Sequence, residues 1–212
     1  MRKVIYTVIT GGYDKLREPL IVNNNWDYVC FTDNTDFKSK VWKIRRFNAN
    51  LNPKKLSRLP KIKWFEFLDY DIAVYIDGSY QIKLGLNAML NEFYKEGFHC
   101  AFKHWMRSCS YKEAWAVIVS NFDKAETVNK YVEFLQEEGF PRKAGLMANG
   151  FMIRDKSLPH QPYINWFNDV VKYSHRDQLS FMFNAKDLPL HFINPKLRNK
   201  YLKGGAGHVR FS

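Results

Sequence analysis

At 212 residues, with 46% hydrophobic and 17% aromatic residues, the chain is long enough to bury a core and is neither disordered nor fibrous. Thirty-three Lys and Arg against 21 Asp and Glu leave a formal charge of +12, which favours an anionic partner: nucleic acid, acidic glycan, membrane or diphosphate. The three cysteines, Cys30, Cys100 and Cys109, have no CxxC or Cys/His spacing, which argues against a zinc site or a disulfide framework and fits a reducing compartment.

The elements read as follows along the chain. Val4 to Thr10 is a β-branched run ending in Gly11-Gly12, a buried strand feeding a tight turn. Tyr28 to Thr32 is a second strand, stopped by Asp33-Asn34, and Val41 to Phe47 a third. Asn52-Pro53 opens a helix with a side-chain cap and a first-position proline; Pro60 restarts or kinks it, and the pattern runs to about Leu68. Ile72 to Ile76 is an apolar strand running into Asp77-Gly78-Ser79. Leu86, Met89, Leu90 and Phe93 mark an amphipathic helix. Ser110 to Glu113 and Asp123 to Glu126 have the form of capping boxes, the second opening a helix to Glu138 that ends at Gly139. Phe151 to Arg154 reads as a strand, Pro162 to Tyr173 as a helix and Leu190 to Ile193 as a late strand before a basic, glycine-rich tail. This alternation predicts one α/β domain, residues 1–212, with a mostly parallel central sheet flanked by helices. The N-terminus turns polar too soon for a signal peptide, and no apolar stretch reaches the length of a membrane span. A soluble, cytoplasmic protein is the expectation.

In such a sheet, ligands bind outside the carboxyl ends of the strands. Thr10-Gly11-Gly12-Tyr13 follows the first strand: its glycines permit close backbone approach, and Tyr13 can stack on a base, although a plain turn reads the same way. Asp33 ends the second strand, where it is placed either to accept from a base or ribose or to serve as an ordinary turn residue. Asp77-Gly78-Ser79 is the sharpest feature, since an aspartate at the end of a buried strand can meet a hard cation such as Mg²⁺ or Mn²⁺. Asp177 precedes the apolar segment Leu179 to Phe183 and reads as a helix cap or as a carboxylate held in the cleft. His191 and His208 are the other candidates for chemistry. His208 follows Lys200 and Lys203 in a glycine-rich run, so it has the makings of a metal-capable imbrication of imidazole and lysines over a diphosphate.

These residues carry a resemblance. Val4-Ile-Tyr-Thr-Val-Ile-Thr-Gly-Gly-Tyr-Asp14, Asp27-Tyr-Val-Cys-Phe-Thr-Asp33, Leu59 to Lys63, and Asp69-Tyr-Asp71 leading into Tyr75-Ile-Asp-Gly-Ser79 resemble a glycosyltransferase family long described as a domain of unknown function, which includes plant Golgi enzymes of cell-wall polysaccharide synthesis. Arg107 to Ala114, Gly139-Phe-Pro141 and Arg176-Asp-Gln-Leu-Ser180 resemble its later motifs. Size and basicity are also similar, more loosely, to a glycosyltransferase module of a large algal virus, for which the compartment would be the host cytoplasm. The resemblance implies a GT-A (Rossmann-like) fold, a nucleoside-diphosphate sugar donor, with UDP expected, and Mn²⁺ or Mg²⁺. It implies that Thr10, Gly11, Gly12, Tyr13 and Asp33 hold the nucleoside, while Arg58 and Lys61 face the donor phosphates; Ser79 of the Asp77 turn and Lys203 of the basic tail are the further donor-binding residues expected. Asp77 and Ser79 stand where such enzymes place an acid-any-acid metal motif. Because Ser79 is no acid, the metal would rest on Asp77, Ser79 and His208. For an inverting reaction Asp177 is the chosen base, with Glu113 behind it. The partners expected are the donor and a glycan or glycoprotein acceptor, with no nucleic acid and no membrane span, in a monomer or weak oligomer. Two alternatives stand beside this reading: a non-enzymatic basic nucleic-acid binder, and a metal-dependent phosphate-ester hydrolase.

Overall fold

The computed structural model describes residues 1–204. Its strands are β1 (Lys3–Ile9), β2 (Asp27–Thr32), β3 (Lys43–Arg46), β4 (Ile72–Ile76), β5 (Tyr80–Ile82), β6 (His99–Lys103), β7 (Met147–Asp155), β8 (Leu190–Ile193) and β9 (Leu202–Gly204). Its helices are α1 (Pro53–Leu56), α2 (Arg58–Ile62), α3 (Leu86–Phe93), α4 (Ser110–Val119), α5 (Ala125–Glu137), α6 (Gln161–Lys172), α7 (Gln178–Asn184) and α8 (Arg198–Tyr201). Seven strands form one sheet in the order β3-β2-β1-β4-β7-β6-β8, in which β7 alone runs antiparallel to its neighbours. This is the mostly parallel, helix-flanked α/β architecture expected. β5 and β9 make a separate antiparallel ribbon.

Alternation along β1 and β4 explains the layering. Val4, Tyr6, Val8, Ala73 and Tyr75 face one side, packed with Ile62 and Trp64 from the α2 region and with Tyr163 and Trp166 of α6. Ile5, Ile9, Ile72, Val74 and Ile76 face the other, packed with Leu86, Met89 and Phe93 of α3. Burying each such side chain contributes about 1.5–3 kcal/mol, so apolar residues on both faces place these strands at the centre. A satellite cluster of Val117, Val128, Tyr131, Leu135 and Leu179 ties α4, α5 and α7 together.

Several local expectations are corrected. The helix predicted from Asn52 to Leu68 is two short helices and a 3-10 turn at Trp64–Glu66; Asn52 does cap α1 (Oδ1 accepts from the Lys55 N–H, 3.0 Å), while Pro60 sits in the first turn of α2, where it is tolerated. Neither capping box forms. Ser110 lies inside α4, with Cys109 at the cap position, and Glu113 pairs with Arg107 instead. Lys124 occupies the cap position of α5, Glu126 pairs with Lys130, and Asp123 turns away to Ser174 and His175. Gly139 does end α5 as expected, with φ +65° and the Phe140 N–H donating to the Leu135 carbonyl (2.8 Å).

One core feature bears on the site. Arg154 of β7 is fully buried, and Nη2 donates to Tyr6 Oη and to the Lys61 carbonyl (2.9 Å), which also accepts from the Tyr6 hydroxyl (3.0 Å). A guanidinium buried alone would be strongly destabilising. Here it is met by the carbonyl end of α2, where a cation is favoured.

Candidate active site

The turns after β1, β2 and β4 all open at the carboxyl edge of the parallel strands, and three cations and two carboxylates converge there from α2, the end of β4 and the segment before α7. Lys61 Nζ lies 2.6 Å from Asp177 Oδ2 and 3.4 Å from Asp77 Oδ1. Arg58 Nε lies 3.7 Å from Asp177 Oδ2 and donates to the His175 carbonyl at 3.1 Å. Arg176 is half-buried within the field of Arg58, Asp177, Glu113 and Asp77, and desolvation holds its pKa below the usual value. Burial alone would raise the pKa of Asp177, but Lys61, Arg58 and Arg176 outweigh it and hold the carboxyl below its ordinary value. Asp177 occupies the cap position of α7 without capping it, so its carboxylate serves the cluster.

Asp77 is held by its neighbours on Oδ1: the Tyr75 hydroxyl donates to it at 2.6 Å. Burial, reinforced by Asp77, raises the Tyr75 pKa far enough that this proton stays on the phenol. Oδ2 faces Gly150, where an added Cβ would come within 2.7 Å of it. The Asp77 N–H donates to the Gly150 carbonyl (2.9 Å). Gly150 reaches this position through an irregularity: β6 pairs Ala101 with Met152 and then Phe102 with Ala148, so residues 149–151 bulge out of the ladder. In the bulge, Asn149 is 1% exposed and both atoms of its amide lack a hydrogen-bond partner. Sequence reasoning missed Asn149, Gly150, Tyr75 and Arg176; the signal available was a glycine inside a strand pattern, which marks a bulge or a close approach.

The other predicted residues fall around this centre. Gly11 and Gly12 have φ of +61° and +67°, and the Gly11 N–H donates to both Asp33 oxygens (3.1 and 3.0 Å). Asp33 thus braces the turn as well as standing beside it. A Cβ on Gly11 would meet Pro53 Cβ at 2.6 Å, so the turn needs glycine for space as well as for conformation. Thr10 Oγ1 donates to the Pro53 carbonyl (2.7 Å), and the Tyr13 ring is 40% exposed. Ser79 lies in the turn closed by the Tyr80 N–H donating to the Asp77 carbonyl (2.9 Å). Lys203 pairs in register with Gln81, which brings β9 to this turn: a Cβ on Gly204 would lie 2.4 Å from the Ser79 carbonyl. Glu113 stands behind the cluster, paired with Arg107 (2.5 Å). His191 lies on the edge strand β8, three strands along from β4. His208 lies outside the described residues.

Among the described residues no group of three His, Cys, Asp or Glu side chains could hold a metal ion. Also among the described residues, no helix is long and apolar enough to cross a membrane.

Comparison with known proteins adds a family. Residues 40–197 match the sequence profile described as "TOD1/MUCI70, glycosyltransferase-like domain", a span that holds the whole charged cluster but not the Thr10 to Tyr13 turn or Asp33. No curated protein matches the sequence. Solved structures similar to it include the bifunctional glycosyltransferase WbbM in its apo form (13% identity, TM-score 0.49, 90% of this chain and 38% of that one). The galactosyltransferase LgtC with donor and acceptor sugar analogues is similar at 11% identity and TM-score 0.45, over 85% of this chain and 70% of that one. Mouse xyloside xylosyltransferase 1, apo form, is similar at 8% identity and TM-score 0.48, over 90% and 84%. The chain thus spans 38% of the first of these.

Proposed function

We propose that this chain, which belongs to the TOD1/MUCI70 glycosyltransferase-like domain family, transfers a sugar from a nucleoside-diphosphate donor, UDP being the expected nucleotide, to a glycan or glycoprotein acceptor. The observation that carries the reading is the convergence of Arg58, Lys61 and Arg176 with Asp77 and Asp177 at the carboxyl edge of the sheet: cations suited to a diphosphate stand beside a carboxylate suited to a divalent cation.

In the reaction the acceptor oxygen bonds to the anomeric carbon as the bond from that carbon to the diphosphate oxygen breaks, its electron pair leaving on the diphosphate. Lys61, Arg58 and Arg176 stabilise that growing charge from fixed positions, which is where preorganised electrostatics contributes most. The acceptor proton goes to the leaving diphosphate in a retaining transfer and to a carboxylate in an inverting one. We assign that role to Asp177, which also holds Lys61 between the two acids. A divalent cation, Mn²⁺ or Mg²⁺, would be held by Asp77, with Ser79 and His208 the further ligands the sequence offers, and would supply charge neutralisation at the diphosphate. Asn149 offers an unpartnered amide for a donor hydroxyl. Tyr13, Asp33 and the glycine turn form the nucleoside end.

Thermal melting with UDP, GDP, CDP and ADP, each with and without Mn²⁺, tests this. A ligand at a hundredfold its Kd stabilises by about 2.7 kcal/mol, a rise of roughly 5–10 °C for this size. A metal-dependent rise with one diphosphate is expected. No rise with any of them, together with tight, steeply salt-dependent binding to oligonucleotides, would replace this reading with that of a nucleic-acid binder.

A further inference from the structure

The carboxyl edge of the sheet is laid out as a row. The Gly11 turn and Asp33 follow β1 and β2, Asp77 follows β4, the bulge at residues 149–151 lies in β7, and β6 comes next. α2 and α7 pack on one face of the sheet, with Ile62 and Phe181 in one core cluster. The β5–β9 ribbon packs on the other, with Ile82 and Leu202 in the second. Among the described residues, the way along the edge from Asp77 and away from the nucleoside end leads to β6. An acceptor must reach the anomeric carbon from a side that the nucleotide does not fill.

Trp105 stands at that end of the row. β7 runs antiparallel to both its neighbours, and its Met152 pairs with Tyr75 of β4 on one side and Ala101 of β6 on the other. Asp77 and Lys103 each lie two residues past that level, and the ladder continues one step more, where the His104 N–H donates to the Leu146 carbonyl (2.8 Å). Two strand spacings across and two residues along put the Trp105 backbone roughly 10–15 Å from that of Asp77.

The chain there is built to display a ring. Trp105 and Met106 are 71% and 66% exposed, whereas Trp26, Trp42, Trp64 and Trp166 are all buried. Their loop is braced from within. Buried His104 accepts at Nδ1 from the Met106 N–H (3.2 Å) and the Arg107 N–H (2.8 Å), and Arg107 Nε donates to buried Glu113 of α4 (2.5 Å). Burial, and then Arg107, hold the His104 pKa below its ordinary value, so the ring is neutral and Nδ1 can accept. Two adjacent large apolar side chains on a fixed loop beside a site make a recognition surface. An indole offers a flat, rigid face at little entropy cost, which matches the C–H face of a pyranose whose hydroxyls stay in water. Met106 can adapt to the edge of the same ring.

We infer that Trp105, with Met106 beside it, is the acceptor platform, on which a glycan stacks one pyranose while a sugar nearer its end reaches Asp77. The inference rests on the sugar-transfer reading. At that separation the stacked ring is not the reacting one, so the ligand recognised is an oligosaccharide rather than a monosaccharide.

The test follows the indole N–H signals of the isotope-labelled full chain by NMR, with UDP and Mn²⁺ present. Trp105→Phe identifies the Trp105 signal by removing it. The probes are glucose-, galactose-, mannose- and xylose-based tetrasaccharides and their monosaccharides. At least one tetrasaccharide should shift the Trp105 signal and bind about tenfold tighter than its monosaccharide. Trp105→Ala should lose about tenfold in that affinity and Trp105→Tyr should recover much of it, with UDP affinity and melting temperature unchanged in both. Trp115→Ala is the control. Trp115 is 67% exposed but follows buried Glu113 by two residues, about 200° round α4, and so faces away from the cluster. Its removal should leave binding unchanged. No shift at Trp105 with any tetrasaccharide, unchanged affinity in Trp105→Ala, or an equal loss in Trp115→Ala would overturn the assignment. UDP binding without a response at Trp105 sinks this inference alone; absence of UDP binding in the wild type sinks the sugar-transfer reading beneath it.

Discussion

Lys61→Met isolates the central interaction of the site. Lys61 and Asp177 are 3% and 9% exposed, and Lys61 is the cation shared by both carboxylates. Removing one partner of a buried pair costs about 3–5 kcal/mol, because the other is left as an uncompensated charge. Arg58, 3.7 Å from Asp177, remains, so the lower end of about 3 kcal/mol applies. At roughly 2–4 °C per kcal/mol for a chain of this size, the melting temperature at pH 7 should fall by about 6–12 °C. The pH dependence is more diagnostic. In the wild type the folded pKa of Asp177 lies below its unfolded value, so its contribution is complete above about pH 4 and is lost as pH falls through the folded pKa. In the variant the largest charge opposing burial is gone, so that pKa moves up. The stability gap should therefore be full at pH 7 and narrow as pH falls toward and below the ordinary carboxylate value of about 4, because the variant's carboxyl takes up its proton before the wild type's. Melting curves across this range provide the assay. A fall of less than about 2 °C at pH 7, or a gap that stays constant with pH, would refute the reasoning.

Gly150→Ala should leave the melting temperature within about 3 °C, since the Asp77 carboxylate can rotate away from the new Cβ, but should weaken Mn²⁺-dependent UDP binding by about tenfold (1.4 kcal/mol); unchanged affinity by calorimetry would mean Asp77 need not hold its position. Asp177→Asn should reduce turnover by about 10²–10⁴-fold if the carboxylate takes the acceptor proton, and near-normal turnover would leave it only the task of holding Lys61. His175 should titrate by NMR with a midpoint of about 4. Because its folded pKa lies below the ordinary histidine value of about 6.5, its share of stability is complete above that value and declines as pH falls from there to 4; a midpoint near 6.5 would show the imidazole to be solvated.

The central strands, α3 and the Asp77 turn were legible because each follows from a local pattern: apolar runs for β1 and β4, helical spacing for Leu86 to Phe93, and an acidic turn after a buried strand. β6 was not read, since His99-Cys-Ala-Phe-Lys103 has neither alternation nor β-branched residues; burial between β7 and β8 makes it a strand. The capping boxes failed for a tertiary reason, as Asp123 and Glu113 found stronger partners in His175 and Arg107. The convergence of Asp77 with Asp177 is likewise invisible along the chain: a hundred residues apart in sequence, they meet only through the Lys61 ammonium. The family resemblance, rather than any periodicity, supplied sugar transfer.

Lys61 belongs to two structures at once. Its ammonium sits between the acids of the site, while its carbonyl is riveted by Tyr6 and Arg154 to the middle of the sheet. α2 therefore cannot swing aside as a gate without breaking the core. Whatever moves to admit a substrate must be some other segment, and the phosphate-facing cations arrive already aligned. The amides at the carboxyl end of α2 should then exchange with solvent only when the sheet itself comes apart.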